Sequence, residues 1–206
     1  MKVELVVARY QEDVSWVTNL LDTCDVVIYT KGQVPFFETG TGNPKNIRIP
    51  NIGREAHTYL YHIYNNLNRL YDYTLFAQGD PFHHISNFVE RVESFISATD
   101  SLDSQLAEQK HIVYFRNMFV CDATGHPHHR GLDVGKVFEE VFGKDGPETY
   151  NFNPGAIMAV PRKLIQSKDL AFYENLLNYS ISDPTAPWVL ERLWYYLFGE
   201  EEETTS

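Results

Sequence analysis

MKVELVVARYQEDV, residues 1–14, is the stretch from which the rest of the chain is read. Residues 3–8 form a β-branched and apolar run, the mark of a strand buried on both faces, because a strand with one wet face alternates instead. A polar turn and a helical period over residues 14–21 follow. The same alternation recurs downstream. Strands are predicted at residues 25–29, 73–77, 111–115 and 152–160, and helices at 53–70, 82–96 and 134–142. After Pro161 the chain is expected to be helical through residue 180, and Pro187 stands at the start of a last helix over 188–198, where proline is well tolerated. Strands alternating with helices imply an α/β fold whose central sheet is mostly parallel, with helices on both faces.

The bulk properties fit one folded domain over residues 1–200, with residues 201–206, EEETTS, as an acidic disordered tail or a cut linker ahead of further C-terminal domains. Apolar residues make up 43% of the chain and charged residues 22%, the balance of a globular protein. The formal charge of −11 repels phosphate backbones over most of the surface and argues against nucleic acid as a partner. Cys24 and Cys121 are far apart and lack the close spacing of a zinc pair, so a reducing cytoplasm suits the chain. The apolar run at the N-terminus meets charge within ten residues, too short for a signal peptide or a membrane span.

In open α/β sheets, ligands collect outside the carboxyl ends of the strands, so the loops that follow strands carry the candidates. ARYQEDVSW, residues 8–16, follows the first strand; its Asp13 either caps a helix start or reaches a nucleotide. YTKGQ places Lys31 beside a glycine after the second strand, either solvated or close to a phosphate. NIGREAHTYLYH, residues 51–62, opens a helix at Gly53, Arg54 and Glu55 whose free amides favour anions, and Arg54 would strengthen that preference. LFAQGDPFHH, residues 75–84, runs a buried strand into Gly79, Asp80 and Pro81. A carboxylate on a tight turn suits Mg²⁺ or Mn²⁺, although an Asp can equally fix such a turn through its own backbone hydrogen bonds. CDATGHPHHRG, residues 121–131, gathers Asp122, His126, His128 and His129 at a spacing that matches no closed zinc site.

Taken in order, VVARYQEDVSW, NIGREAHTYLYHI, FAQGDPF, FNPGAIMAVPRKLI and WVLERLWYYLFG resemble glycosyltransferase-like domains of the GT-A type, including domains of viral multi-domain enzymes. The resemblance covers nearly the whole chain and implies a Rossmann-like GT-A fold. It implies transfer of a hexosyl or deoxyhexosyl group from a nucleotide-diphosphate sugar, typically a UDP-sugar, to a hydroxyl of a glycan or glycoprotein acceptor, and a cytoplasmic location, the host's for a viral member. The first-strand loop, with Ala8, Arg9, Tyr10 and Asp13, and the Lys31 turn would hold the nucleoside, with Arg54, Gln78 and Gly79 beside the diphosphate. The metal motif of that type is Asp-x-Asp; here Gln78, Gly79 and Asp80 stand in its place, and only the last acid is present.

Glu191, in PWVLERLW, resembles the position of the acceptor-side base, with Asp183 as its competitor; a helix-surface acid paired with Arg192 is the plain alternative. His129, Gly155 and Trp188 would shape the acceptor side. Trp188 is equally explained by core packing, and the histidine loop by an exposed polar turn. Two other classes fit the same residues. One is a non-catalytic nucleotide-sugar binding module, supported by the incomplete acidic motif. The other is a metal-dependent hydrolase built on the histidine loop and Asp80.

Overall fold

A computed structural model of the protein describes residues 1–39, 42, 44–101 and 111–199; the acidic tail at 201–206 lies outside them. In chain order the strands are β1 (Val3–Arg9), β2 (Asp25–Thr30), β3 (Lys45–Arg48), β4 (Tyr73–Gln78), β5 (Val113–Tyr114), β6 (Phe119–Cys121), β7 (Gly125–His126), β8 (His129–Arg130), β9 (Tyr150–Phe152) and β10 (Met158–Pro161). The α-helices are α1 (Arg54–Asn66), α2 (Phe88–Ser101), α3 (Val134–Phe142), α4 (Arg162–Ile165), α5 (Leu170–Ser182) and α6 (Ala186–Phe198).

Six strands form the main sheet in the order β3-β2-β1-β4-β10-β5. β1 pairs in parallel with β2 and β4, β2 pairs in parallel with β3, and β10 runs antiparallel to both β4 and β5. The sheet is therefore mostly parallel, with its antiparallel part at one side. The period of two along each strand sends alternate residues to opposite faces. Val6, Val27, Phe76 and Met158 join one core with α1, α3, α5 and α6. Leu5, Val7, Leu75, Ala77 and Ala159 join a second core with Trp16 and the α2 residues Phe88, Val92 and Ile96. Both faces are thus covered, which is why the first strand reads as an apolar run. Its polar interruption, Glu4, meets His62 of α1 at 3.0 Å, and His62 Nδ1 in turn lies 3.1 Å from the Tyr29 hydroxyl.

Several boundaries differ from the sequence expectation, each for a local reason. Residues 14–21 form a 3-10 helix at Ser15–Leu20 instead of an α-helix. The helix expected from residue 82 starts only at Phe88, because Pro81 opens a turn in which its carbonyl accepts from His84 and Ile85. The strand expected over 152–160 is two strands, β9 and β10, separated where Gly155 (φ 89°) and Ala156 (φ 52°) adopt left-handed backbone that cannot sit in a ladder. The helix expected through residue 180 is α4 and α5, the second started afresh by Asp169, whose carboxylate accepts the Phe172 amide at 2.8 Å. The expected helix over 53–70 is α1 followed by a 3-10 turn at Leu67–Arg69. β3 and the short strands β6, β7 and β8 were not foreseen.

Candidate functional site at the carboxyl ends of the parallel strands

From β1 the chain moves to β2 and β3 on one side and then crosses to β4 on the other, so the winding reverses between β1 and β4. The carboxyl ends of those two strands flank the crevice where such sheets bind ligands. Ala8 is in register with Gln78, and the Gly79 amide continues the ladder to the Ala8 carbonyl at 2.8 Å. Gly79 lets the two loops approach closely: a Cβ there would lie 2.7 Å from Glu12 Oε2 and displace that side chain. That same oxygen accepts the amides of Tyr10 (2.6 Å) and Gln11 (3.1 Å), which folds the first-strand loop against the β4 turn. Trp16 closes the other side by donating its indole N–H to the Gly79 carbonyl at 2.9 Å.

The result is a cleft of ≈380 Å³ lined by Glu12, Asp13, Ser15, Trp16, Asp80 and Phe82. Asp80 accepts the Phe82 amide at 3.1 Å through Oδ1, the turn-fixing bond, and its second oxygen has no protein partner among the described residues. Asp13 accepts from both the amide and hydroxyl of Ser15 at 2.9 Å, which holds its carboxyl below the usual carboxylate range. Turn-making and cleft-lining roles thus coincide in both acids. Arg9 is drawn inward instead, donating to the carbonyls of Glu12 (3.0 Å) and Pro35 (2.9 Å). Tyr10 is exposed.

Lys31 is buried, and its ammonium contacts the carbonyls of Ile52 (2.5 Å) and Arg54. It ties the end of β2 to the start of α1, where Gly53 (φ 58°) and Arg54 (φ 45°) are both left-handed. Burial lowers the Lys31 pKa to about 8, opposed by the charge of Glu55. Glu55 is the largely covered partner, its side chain 11% exposed: desolvation pushes its carboxyl up, with Glu191 adding repulsion and Arg54 and Lys31 opposing it. The Tyr59 hydroxyl, fully buried beside this acidic pair, has no hydrogen-bond partner among the described residues. Arg54 itself points outward, 3.6 Å from Glu55 and with its guanidinium 5.3 Å from the centre of the Trp188 ring. His129 packs on the same tryptophan at 5.2 Å.

Glu191 joins these two halves. Its Oε2 accepts the Gly155 amide at 2.8 Å, and its Oε1 lies 2.6 Å from Arg192. The Gly155 carbonyl accepts from Gln78 at 3.0 Å, so the loop between β9 and β10 is clamped from both sides. A Cβ at Gly155 would lie 2.7 Å from the His84 ring. His84 Nδ1 is 3.0 Å from Arg116 Nη1, which also donates to the Pro154 carbonyl at 3.3 Å. Burial, and then the Arg116 charge, lower the His84 pKa.

Asp183 lies apart from this network. Its Oδ1 accepts from the amide and hydroxyl of Thr185, each at 2.7 Å, and so shapes the corner between α5 and α6. In the histidine loop, Asp122 binds Arg130 and Thr124, while His126 packs against Phe119 and Phe152. Among the described residues, no three His, Cys, Asp or Glu side chains converge on one metal position.

Of the expected site residues, Ala8, Asp13, Gln78, Gly79 and Asp80 meet at the switch point, Gln78, Gly155 and Glu191 are bonded together, and Arg54, Trp188 and His129 form a neighbouring stack. Sequence reading missed Tyr59, His84 and Arg116, and gave Glu12 and Glu55 no role of their own. Glu12 sat inside a quoted loop and His84 directly after the Gly-Asp-Pro turn; Arg116 and Tyr59 carried no local signal.

These features define an α/β protein with a mostly parallel sheet and an acidic, aromatic-walled cleft at the strand ends. Residues 5–206 match the family described as a protein of unknown function (DUF3431), and the chain belongs to that family. No curated protein matches it.

Proposed function

We propose that this protein is a glycosyltransferase of the GT-A type, moving a sugar from a nucleotide diphosphate, a UDP-sugar first among them, to a hydroxyl of a glycan or glycoprotein. The observation that carries the reading is the cleft at the β1/β4 switch point, where Asp13, Trp16 and Asp80 line one space. Asp80 presents an oxygen free of protein donors, with Glu12 and Asp13 in the same wall. That donor set fits Mn²⁺ or Mg²⁺ held by one or two carboxylates, with water and diphosphate oxygens completing the shell. A cation bound there supplies charge neutralisation for a departing diphosphate.

The chain's own residues then divide the work. Asp80 and Asp13 hold the donor's charged end, and the exposed edge of Phe82 offers an apolar wall for a base or sugar. Glu191, fixed by Gly155 and Arg192, is the group placed to take a proton from an incoming hydroxyl. Asp183 is the weaker choice, since it sits at the corner between α5 and α6, apart from the bonded set of Gln78, Gly155 and Glu191. Trp188, with Arg54 and His129 against it, flanks Glu191 one helical turn away and would frame the acceptor.

A nucleotide-sugar binder without activity is the second reading, favoured by the placement of Arg9 and Lys31 against backbone carbonyls instead of in the open cleft. One assay separates the two: the protein is incubated with a panel of nucleotide sugars, with and without Mn²⁺, and free nucleoside diphosphate is measured. Release that depends on Mn²⁺ and is lost in Glu191→Gln supports transfer. Saturable binding with no release from any donor supports the binder, and neither binding nor release from any member removes both.

A further inference from the structure

The turn that carries Asp80 and the loop that bonds to Glu191 touch at two points, one on either side of that acid. Gln78, at the end of β4, donates Nε2–H to the Gly155 carbonyl at 3.0 Å. His84, beyond Asp80, fills the space over the Gly155 Cα: an added Cβ would lie 2.7 Å from its ring. His84 is braced in turn by Arg116, whose Nη1 lies 3.0 Å from Nδ1 and also donates to the Pro154 carbonyl at 3.3 Å.

Between these contacts the turn is a bonded unit. The Gly79 amide donates to the Ala8 carbonyl (2.8 Å), Asp80 accepts the Phe82 amide (3.1 Å), and the Pro81 carbonyl accepts from His84 (3.1 Å) and Ile85 (2.9 Å). The loop it grips is the strained partner. Gly155 (φ 89°) and Ala156 (φ 52°) are both left-handed, a state that an alanine keeps only while its neighbours enforce it. The amide so held is the one Glu191 accepts at 2.8 Å, while Arg192 ties the other carboxylate oxygen to α6. A ligand on the outer oxygen of Asp80 restrains the turn, and the turn restrains the loop.

We propose that the segment from Gln78 to His84 couples the cleft at Asp80 to Glu191, with Gln78 as the positioning residue. A filled cleft holds the Gly155 N–H on the Glu191 carboxylate, and an empty one releases it more often. The bearing of this coupling on sugar transfer rests on the function proposed above: a bound donor readies the acceptor-side base, and by linkage an acceptor strengthens donor binding by the same factor.

The test follows the Gly155 amide by ¹⁵N NMR, through its hydrogen exchange and through the pH-dependent shift that the Glu191 carboxyl imposes on it. Amides of β1 serve as the reference, so that a loss of global stability is told apart from a loss of this bond. Gln78→Met keeps the length of the side chain and removes the donor. It should speed Gly155 exchange about threefold or more relative to β1 and shrink the pH-dependent shift. Asp80→Ala, which frees the Phe82 amide on the cleft side of the turn, should loosen the same amide in the same direction. A Gly155 amide unchanged in either variant overturns the coupling. Where Gln78→Met fails to fold, Gln78→Asn draws the donor back from the carbonyl and must show the same loosening. Mg²⁺ with UDP, added to the unaltered protein, should slow Gly155 exchange, and saturable binding that leaves Gly155 unchanged also overturns the coupling. If UDP does not bind, the donor reading falls, and the two variants still decide the coupling.

Discussion

Glu191 accepts the backbone N–H of Gly155 at 2.8 Å, a bond that joins α6 to the loop ahead of β10. The other carboxylate oxygen lies against Arg192, whose side chain is 5% exposed. Glu191→Ala would strip both partners and leave a buried guanidinium unpaired, at a cost of about 3 kcal/mol in folding stability. Glu191→Gln keeps an acceptor for Gly155 and should lose less. Urea denaturation of the two variants checks the order; equal losses would show that the Gly155 bond contributes nothing.

Gly155 should tolerate no side chain. Its φ of 89° is left-handed, and a Cβ would press on the His84 ring at 2.7 Å. Gly155→Ala is expected to lose roughly 1–3 kcal/mol from backbone strain and to displace His84 from Arg116. Chemical denaturation reads the first effect and the His84 imidazole resonances the second. An alanine variant of unchanged stability, with His84 undisturbed, would contradict both.

Asp80→Asn separates the turn from the cation. Asparagine can make the same bond to the Phe82 amide, so folding stability should stay within about 0.5 kcal/mol. The charge is lost, however, and the thermal shift produced by Mn²⁺ with UDP should disappear. A full shift in the variant would remove Asp80 from the proposed cation site.

His57 gives a pH dependence of defined sign. Burial, and then the nearby Lys31 charge, lower its pKa from 6.5 to about 4. The unfolded chain therefore binds the proton first, and the stability His57 contributes is full above pH 6.5 and is lost as pH falls toward 4. Glu55 acts in the opposite sense: its carboxyl is raised by burial, so its contribution is present at low pH and is lost as pH rises through the raised value. Removing the imidazole with His57→Phe should flatten or invert the fall in urea-denaturation stability between pH 6.5 and 4. A slope identical to that of the unaltered protein would mean the imidazole titrates normally.

The parts legible in the sequence are those whose physics is local or periodic. β1, β2 and β4 show as apolar runs because both faces of the sheet are covered, and α6 shows through its period and Pro187. The turn at Gly79 and Asp80 is a property of those residues and their neighbour Pro81, so its position at a strand end could be read directly. β3, with sequence KNIR at the sheet edge, carries no apolar run and was invisible. The break between β9 and β10 hides inside FNPGAIMAV, where Gly155 and Ala156 turn left-handed because Gln78 and Glu191 grip the loop from other elements.

By itself, then, the sequence determined the order of the long buried strands and the main helices, the mostly parallel sheet, and which loops stand at the strand ends, since burial periodicity and turn chemistry act over a few residues. Only the tertiary structure decided which charges face the cleft and which are spent inside. Lys31 and Arg9 bind backbone carbonyls, Glu55 is partly buried near Glu191, and Arg116 meets His84 across 32 residues. Those pairings depend on desolvation and on distances between segments remote in the chain, which no local spacing encodes.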